Sequence, residues 1–159
     1  MVKIKINSDL LIKVLDPLQA VVNPSHLVPI LQCVKIEVSK DQIQVTGDNH
    51  EVRCKNSEVL KSEDEIDFCV NFQMLLSALR TIKNQEITLK IDDKMLAIVH
   101  KQGDFKISLE DAAVFPAPKS EKLKNKAEVD AKAFKRTLKI ANKFIINDDL
   151  EPISNLSIE

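Results

Sequence analysis

The chain has 159 residues, of which 44% are hydrophobic and 30% are charged, and its formal net charge is −1. This composition is typical of a folded globular protein and excludes a disordered or fibrous one. No apolar run approaches the length of a membrane-spanning helix, and the N-terminus alternates like a strand, so neither a membrane span nor a signal or transit peptide is predicted. A cytoplasmic protein is the resulting expectation. The three cysteines, an odd number at unrelated spacings, predict reduced core thiols rather than disulfides or a zinc site: Cys33, Cys54 and Cys69.

The chain opens with a predicted strand that runs directly into an amphipathic helix. Val2 to Ile6 alternates apolar and polar residues, and Asn7 or Ser8 can accept hydrogen bonds from the first-turn amides of the helix. Pro17 should bend or divide this helix near Leu15, because proline removes an internal hydrogen bond. Three strands are predicted next, over Cys33–Val38, Gln42–Thr46 and Glu51–Leu60, with turns at Lys40–Asp41 and Gly47–Asp48–Asn49.

The same pattern is repeated along the chain. A shift of 64 residues places Ile4–Leu18 on Phe68–Ile82, and the chemical class is kept at eight aligned positions. A shift of 123 residues gives a partial third match, which predicts a helix over Ala131–Ile145. The second copy predicts a strand over Glu65–Val70, a helix over Phe72–Ile82 and strands over Glu86–Ile91, Met95–His100 and Asp104–Leu109.

Two copies of a strand-helix-three-strand unit predict an α+β fold in which both helices lie on one side of antiparallel sheets. The charged, weakly hydrophobic segment 117–127 is typical of a linker. It separates a first domain, residues 1–116, from the start of a second, residues 128–159. If a full unit has about 123 residues, most of the second domain is missing, and the chain is expected to be truncated.

Positive charge is concentrated in the predicted third helix. Residues 1–115 contain 14 basic and 17 acidic side chains, whereas Ala131–Ile146 contains five basic and no acidic ones. A solvated face is the usual interpretation of a charged helix, but five cations without one acid favour an anionic polymer as partner. An apolar stripe at helical spacing, Phe134, Leu138, Ala141 and Ile145, is predicted to be buried, which leaves the cations on other faces: Lys132, Lys135, Arg136, Lys139 and Lys143.

Residues suited to catalysis or metal binding form no recognisable motif. His50, Glu51 and Cys54 are close in sequence, but on a predicted strand His50 and Glu51 would point to opposite faces. The two glycines, Gly47 and Gly103, both fall at predicted turns, so a glycine-rich phosphate loop is not expected. The sequence therefore predicts a non-enzymatic protein that needs no cofactor and no metal.

Four strings of the chain, in this order, resemble strings of one known family: residues 27–31, Leu-Val-Pro-Ile-Leu; residues 45–52, Val-Thr-Gly-Asp-Asn-His-Glu-Val; residues 104–116; and residues 147–155. The family is that of the bacterial DNA polymerase III beta subunit, the sliding clamps of replication. The first string is similar to the family's Thr-Leu-Pro-Ile-Leu string after the first helix, and the second resembles its Leu-Thr-Gly-Thr-Asp-Leu-Glu-Val turn. The third resembles the end of its first domain, and the fourth resembles the loop and strand after the first helix of its second domain.

The resemblance implies a DNA-clamp fold and a specific assembly. Family members have three tandem domains per chain, and two chains form a closed ring around duplex DNA, with helices lining the hole and sheets forming the outer wall. Such a ring is a processivity factor that tethers the replicative polymerase, with clamp-loader subunits as further partners. By this comparison the present chain supplies the first domain and the opening of the second, so it is not expected to close a ring by itself.

The same resemblance predicts which side chains face DNA. A sliding clamp needs attraction to phosphates without base recognition, and lysine and arginine supply it. A protein-interaction adaptor of the same fold without DNA binding is the alternative, and it would lack basic helix faces lining one concave surface. The predicted DNA-facing residues are Lys13, Arg80, Lys83, Lys132, Lys135, Arg136, Lys139 and Lys143.

Overall fold

Within residues 1–23, 27–118 and 128–143, which the computed structural model describes, the chain forms eight strands and three α-helices. It divides into two compact units, Met1–Pro118 and Lys119–Glu159. The elements of the first unit are β1 (Val2–Asn7), α1 (Ser8–Leu15), β2 (Cys33–Val38), β3 (Gln42–Asp48), β4 (Arg53–Val59), β5 (Ile66–Asn71), α2 (Phe72–Thr81), β6 (Glu86–Ile91), β7 (Met95–His100) and β8 (Gly103–Glu110). The second unit contains α3 (Ala131–Ala141).

The strands of the first unit form one antiparallel sheet in the order β1-β6-β7-β8-β5-β2-β3-β4. The first strand of each repeat pairs with strands of the other repeat, since β1 lies beside β6 and β5 lies beside β2. The two registers correspond: Val2 lies opposite Ile91, and Ile66, its counterpart 64 residues further on, lies opposite Val38. The sequence repeat is therefore also a structural repeat. The two copies are joined because the first strand of each pairs with a strand of the other.

Both helices of the first unit pack into one hydrophobic core on the same side of the sheet. Alternate strand residues point into this core, as the two-residue period of a strand requires. Its fully buried members include Leu11, Val14 and Leu15 of α1, Leu75 and Leu79 of α2, and Val34, Leu89 and Ile98 of the sheet. The predicted α+β arrangement, with helices on one side of antiparallel sheets, is confirmed.

The interruption of the first helix occurs at Pro17, as predicted. Helix α1 ends at Leu15, and a 3-10 turn over Asp16–Ala20 continues the chain. Proline has no amide hydrogen, so the regular hydrogen-bond ladder stops here. The carbonyl of Val14 instead accepts a hydrogen bond of 3.0 Å from the Asn56 side chain on β4. The sheet thus supplies the partner for this helix-end carbonyl.

The turn predicted at Gly47–Asp48–Asn49 is wrong, because Gly47 and Asp48 belong to β3. A Cβ atom at Gly47 would lie 2.7 Å from Cγ2 of Val22, so the glycine permits the close approach of the segment that follows α1. The turn itself is closed by a 3.2 Å hydrogen bond from the amide of Asn49 to the carbonyl of Val52. Packing, rather than turn geometry, accounts for glycine at this position.

The corrected turn also moves His50 and Glu51 off the predicted strand. His50 has a positive φ of 72°, in the left-handed region that non-glycine residues rarely adopt. Its amide donates a 2.7 Å hydrogen bond to Asp48 Oδ1, which holds this conformation. Strand β4 begins only at Arg53.

Helix α3 begins after Asp130, whose side chain accepts a 2.7 Å hydrogen bond from the amide of Ala133. The predicted burial of its apolar stripe is wrong for the described residues: none of its side chains is buried, and Phe134 is 39% exposed. Residues 128–143 contain this helix alone and supply no sheet to cover the stripe. The predicted extension to Ile145, the linker core at 119–127 and the strings after residue 146 lie outside the described residues.

Candidate nucleic-acid interface

Five basic side chains share one face of α3 and the turn that follows it. They recur at intervals of three and four residues, and on a helix this spacing places side chains above one another on one face. All five are exposed, and together with Ile140 they border one shallow depression. Phe134 and Leu138 lie on the opposite side of the helix. The basic face consists of Lys132, Lys135, Arg136, Lys139 and Lys143.

The electrostatic setting of this basic face is one-sided. No acidic residue occurs between Ala131 and Lys143, and Asp130 is engaged in capping the helix. Within the described part of the chain, none of the five cations has a carboxylate partner. Lys139 lies in the last turn, where the negative end of the helix dipole favours a cation. The face can therefore attract an extended anion.

The three cations predicted on the first unit occupy different surroundings. Lys13 Nζ lies 2.5 Å from the carboxylate of Glu58 on β4, so this lysine already has an anionic partner. Arg80 donates a 2.9 Å hydrogen bond from Nη2 to the side-chain oxygen of Gln19. Lys83 is exposed in the loop after α2. Two of the three are thus engaged within the protein.

The sequence did not reveal a polar network at the start of β4. Arg53 Nε lies 2.7 Å from Asp48 Oδ2, and Arg53 Nη2 donates to the carbonyl oxygen of Pro116. Asp48 is 6% exposed and lies directly opposite Arg53 in the β3–β4 register. The opposite charges of this pair would have indicated the contact if the turn had been placed correctly between them.

The cysteines are free thiols, and Cys33 and Cys69 are buried as predicted, whereas Cys54 is only partly buried. Burial and the nearby Glu110 carboxylate raise the pKa of Cys33 to about 11. Burial, followed by the neighbouring Cys33, raises the pKa of Cys69 to about 12. Both thiols therefore stay protonated at neutral pH, and a thiol in this state is a poor nucleophile.

Metal-binding clusters and membrane-spanning helices are both absent from the part of the chain that the structure describes. There, no three or more His, Cys, Asp or Glu side chains are grouped as metal ligands would be. None of the described helices is long and apolar enough to cross a membrane.

Comparison with known structures gives consistent matches to clamps. The beta clamp of Helicobacter pylori bound to a DNA ligase peptide superposes with a TM-score of 0.86 at 23% identity, covering 94% of this chain and 42% of that one. The corresponding values for Caulobacter crescentus pol III beta are 0.85, 19%, 93% and 40%. For the DNA polymerase III subunit beta of Pseudomonas aeruginosa they are 0.81, 21%, 94% and 41%. No curated protein sequence gives a match.

These likenesses show the fold, and the chain spans only 40–42% of the length of the three clamps. The family follows from the sequence itself. The sequence model of the DNA polymerase III beta subunit N-terminal domain matches residues 2–119, which is most of the chain. The chain therefore belongs to the DNA polymerase III beta subunit family, and the match places that family's N-terminal domain in its first unit.

Proposed function

We propose that this chain is part of a sliding clamp, a ring-shaped processivity factor that encircles duplex DNA and tethers the replicative polymerase. Family membership and the clamp fold support this function. In this proposal residues 1–116 form clamp domain one, residues 117–127 form a linker, and residues 128–159 begin domain two. The protein is non-catalytic, uses no cofactor and acts in the cytoplasm, where the polymerase and clamp-loader subunits are its partners. The full-length chain forms a homodimeric ring.

The observation that carries the DNA-binding part of the proposal is the uniform charge of the basic face. Five exposed cations on one side of a helix can contact successive phosphates without reading bases. Lys13 and Arg80 contribute less, because each would have to leave an existing partner before it could bind a phosphate. Lys83 is exposed and offers a further cation on the first unit.

Fluorescence anisotropy with two labelled duplexes of unrelated sequence tests this proposal. With about four phosphate contacts, the logarithm of the association constant should fall with the logarithm of salt concentration at a slope of about −3 to −4. The two duplexes should bind equally. A triple variant that combines Lys135→Glu, Arg136→Glu and Lys139→Glu reverses three charges at the centre of the basic face, and it should lose binding.

The matched control reverses the same number of charges elsewhere. Lys3, Lys5 and Lys55 are exposed on strands of the first unit, and changing all three to glutamate alters the net charge by the same amount. This control should retain most of the parent affinity at each salt concentration. Equal losses of affinity in the two triple variants would show that net charge alone determines binding. That result would refute the basic face as a specific binding surface. Absence of binding by the parent chain would favour the adaptor alternative.

A further inference from the structure

A second buried cluster lies on the face of the sheet that points away from the helices. Val34 and Ile36 of β2 point into the main core, so Cys33 and Lys35 point to the outer face. Cys69 lies opposite Lys35 in the β2–β5 register and therefore shares this outer face. Nevertheless Cys33 is 2% exposed and Cys69 is 0% exposed. Part of the outer face must therefore be covered.

The stretch that follows β8, residues 111–118, covers the part of this face around Cys69, whereas the Cys33 thiol donates a 3.7 Å hydrogen bond to the carbonyl of Pro29, in the turn before β2. The stretch begins with a 3-10 turn over Ala112–Val114, in which the Asp111 side chain accepts a 2.8 Å hydrogen bond from the amide of Ala113. This turn contacts β5, the strand that carries Cys69. Phe115 follows it and is 8% exposed. The segment thus lies over the outer face and ends the first unit.

Arg53 connects this segment to the sheet. One arm of its guanidinium group pairs with Asp48 on β3, and the other donates to the carbonyl of Pro116. The planar, five-donor guanidinium can satisfy two partners in fixed directions, whereas a lysine ammonium group at the same position lacks this fork geometry. Asp48 also accepts a 2.7 Å hydrogen bond from the amide of His50, which orients its carboxylate.

We propose that Arg53 is a positioning residue that fastens residues 111–118 to the outer face of the sheet as a strap and thereby fixes where the chain leaves its first unit. All of these contacts lie inside the first unit and are independent of DNA binding. When the strap is closed, it shields Cys69, which lies on the strand that the strap contacts. When the strap opens, this thiol becomes accessible, so its reactivity reports the opening equilibrium.

The test uses the 159-residue chain carrying Cys33→Ala and Cys54→Ala, in which Cys69 is the remaining thiol. Its rate of reaction with a thiol-specific disulfide dye is measured at fixed pH for this parent and for Arg53→Gln. Loss of a hydrogen bond to a charged group should increase strap opening, and the thiol reaction rate, about tenfold or more. The Arg80→Gln variant is the matched control, because it removes an arginine that does not contact the strap.

Two further variants separate positioning from general stability. Arg53→Lys keeps the positive charge beside Asp48 but loses the second arm, so its rate should lie between those of the parent and Arg53→Gln. The double variant Asp48→Asn, Arg53→Gln avoids leaving a buried unpaired carboxylate, and its thiol reaction should still be fast. If Arg53→Gln alone does not fold, the double variant provides the test.

Hydrogen exchange then locates the change. Faster exchange should be confined to amides of residues 111–118, with strands β6 and β7 unchanged. A Cys69 reaction rate within about twofold of the parent in the folded Arg53 variants would overturn the proposal, since a released strap must expose this thiol. Equal acceleration of exchange in β6 and β7 would also overturn it, because that pattern indicates global destabilisation.

Discussion

Replacing Gly47 with alanine should destabilise the first unit, although strand propensity alone predicts the opposite. Glycine within a strand is less favourable than alanine by about 0.5–1 kcal/mol, so an uncrowded site would gain stability. At Gly47, however, the new Cβ would lie 2.7 Å from Val22 Cγ2 and 3.2 Å from Leu18 Cδ2. Both neighbours are buried, at 3% and 0% exposure, and have little room to move.

The expected cost follows from overpacking in a filled core, which amounts to about 1–3 kcal/mol. For a chain of this size, each kcal/mol lowers the midpoint of thermal unfolding by roughly 2–4 °C. Gly47→Ala should therefore unfold at a temperature roughly 2–12 °C lower than the parent, and urea unfolding should show the same loss of free energy.

A double-mutant cycle with Val22→Ala checks the mechanism. Val22→Ala removes the Cγ2 atom that the new methyl group would strike, so Gly47→Ala should cost much less in that background. The two changes should therefore be non-additive by about 1 kcal/mol or more, as expected for residues in contact. A stabilising effect of Gly47→Ala, or strict additivity with Val22→Ala, would refute the close-approach explanation.

Two further changes test a helix cap and the buried thiols. Asn71 accepts a 3.0 Å hydrogen bond from the amide of Met74 at the start of α2. Asn71→Ala should therefore lower the free energy of unfolding, measured in urea, by about 1 kcal/mol. Asn71→Asp keeps an accepting oxygen and should lower it less. Because the folded-state pKa values of Cys33 and Cys69 are raised from 9.0 to about 11 and about 12, the unfolding free energy should be fully retained below pH 9 and fall as the pH rises further. The parent should lose more free energy between pH 9 and 11 than the variant with alanine at both positions, and equal slopes would contradict the assignment.

The periodicity of the sequence predicts most elements because each depends on local spacing. Strands β2, β6 and β7 have the predicted bounds, and Pro17 divides the first helix as expected. The hairpin turn at Lys40–Asp41 predicts the pairing of β2 with β3, but the pairing between the two repeats was not predicted, since alternation identifies the buried face of a strand and does not identify its neighbour. The exchange of β1 and β5 between repeats became clear only from the structure.

In the candidate interface, too, features set by local spacing were predictable and contacts between distant residues were not. The common face of the α3 cations follows from helical spacing and was predictable. The pairing of Lys13 with Glu58 joins residues far apart in the sequence, and no local pattern indicates it. Arg53 and Asp48 are close in sequence, but the misplaced turn at Gly47 concealed their register.

The pairing of β1 with β6, a strand of the second repeat, also determines when β1 can join the sheet during translation. Strand β1 is synthesised before the other strands of the first unit, yet its only pairing partner among the described strands, β6, ends at Ile91. The N-terminal strand must therefore wait, with its edge unpaired, until the ribosome has released more than half of the first unit. Closing so long a loop before its contacts form is entropically costly and slows folding. The exposed residues Lys3 and Lys5 alternate along this waiting strand, and their charge opposes pairing with another nascent chain.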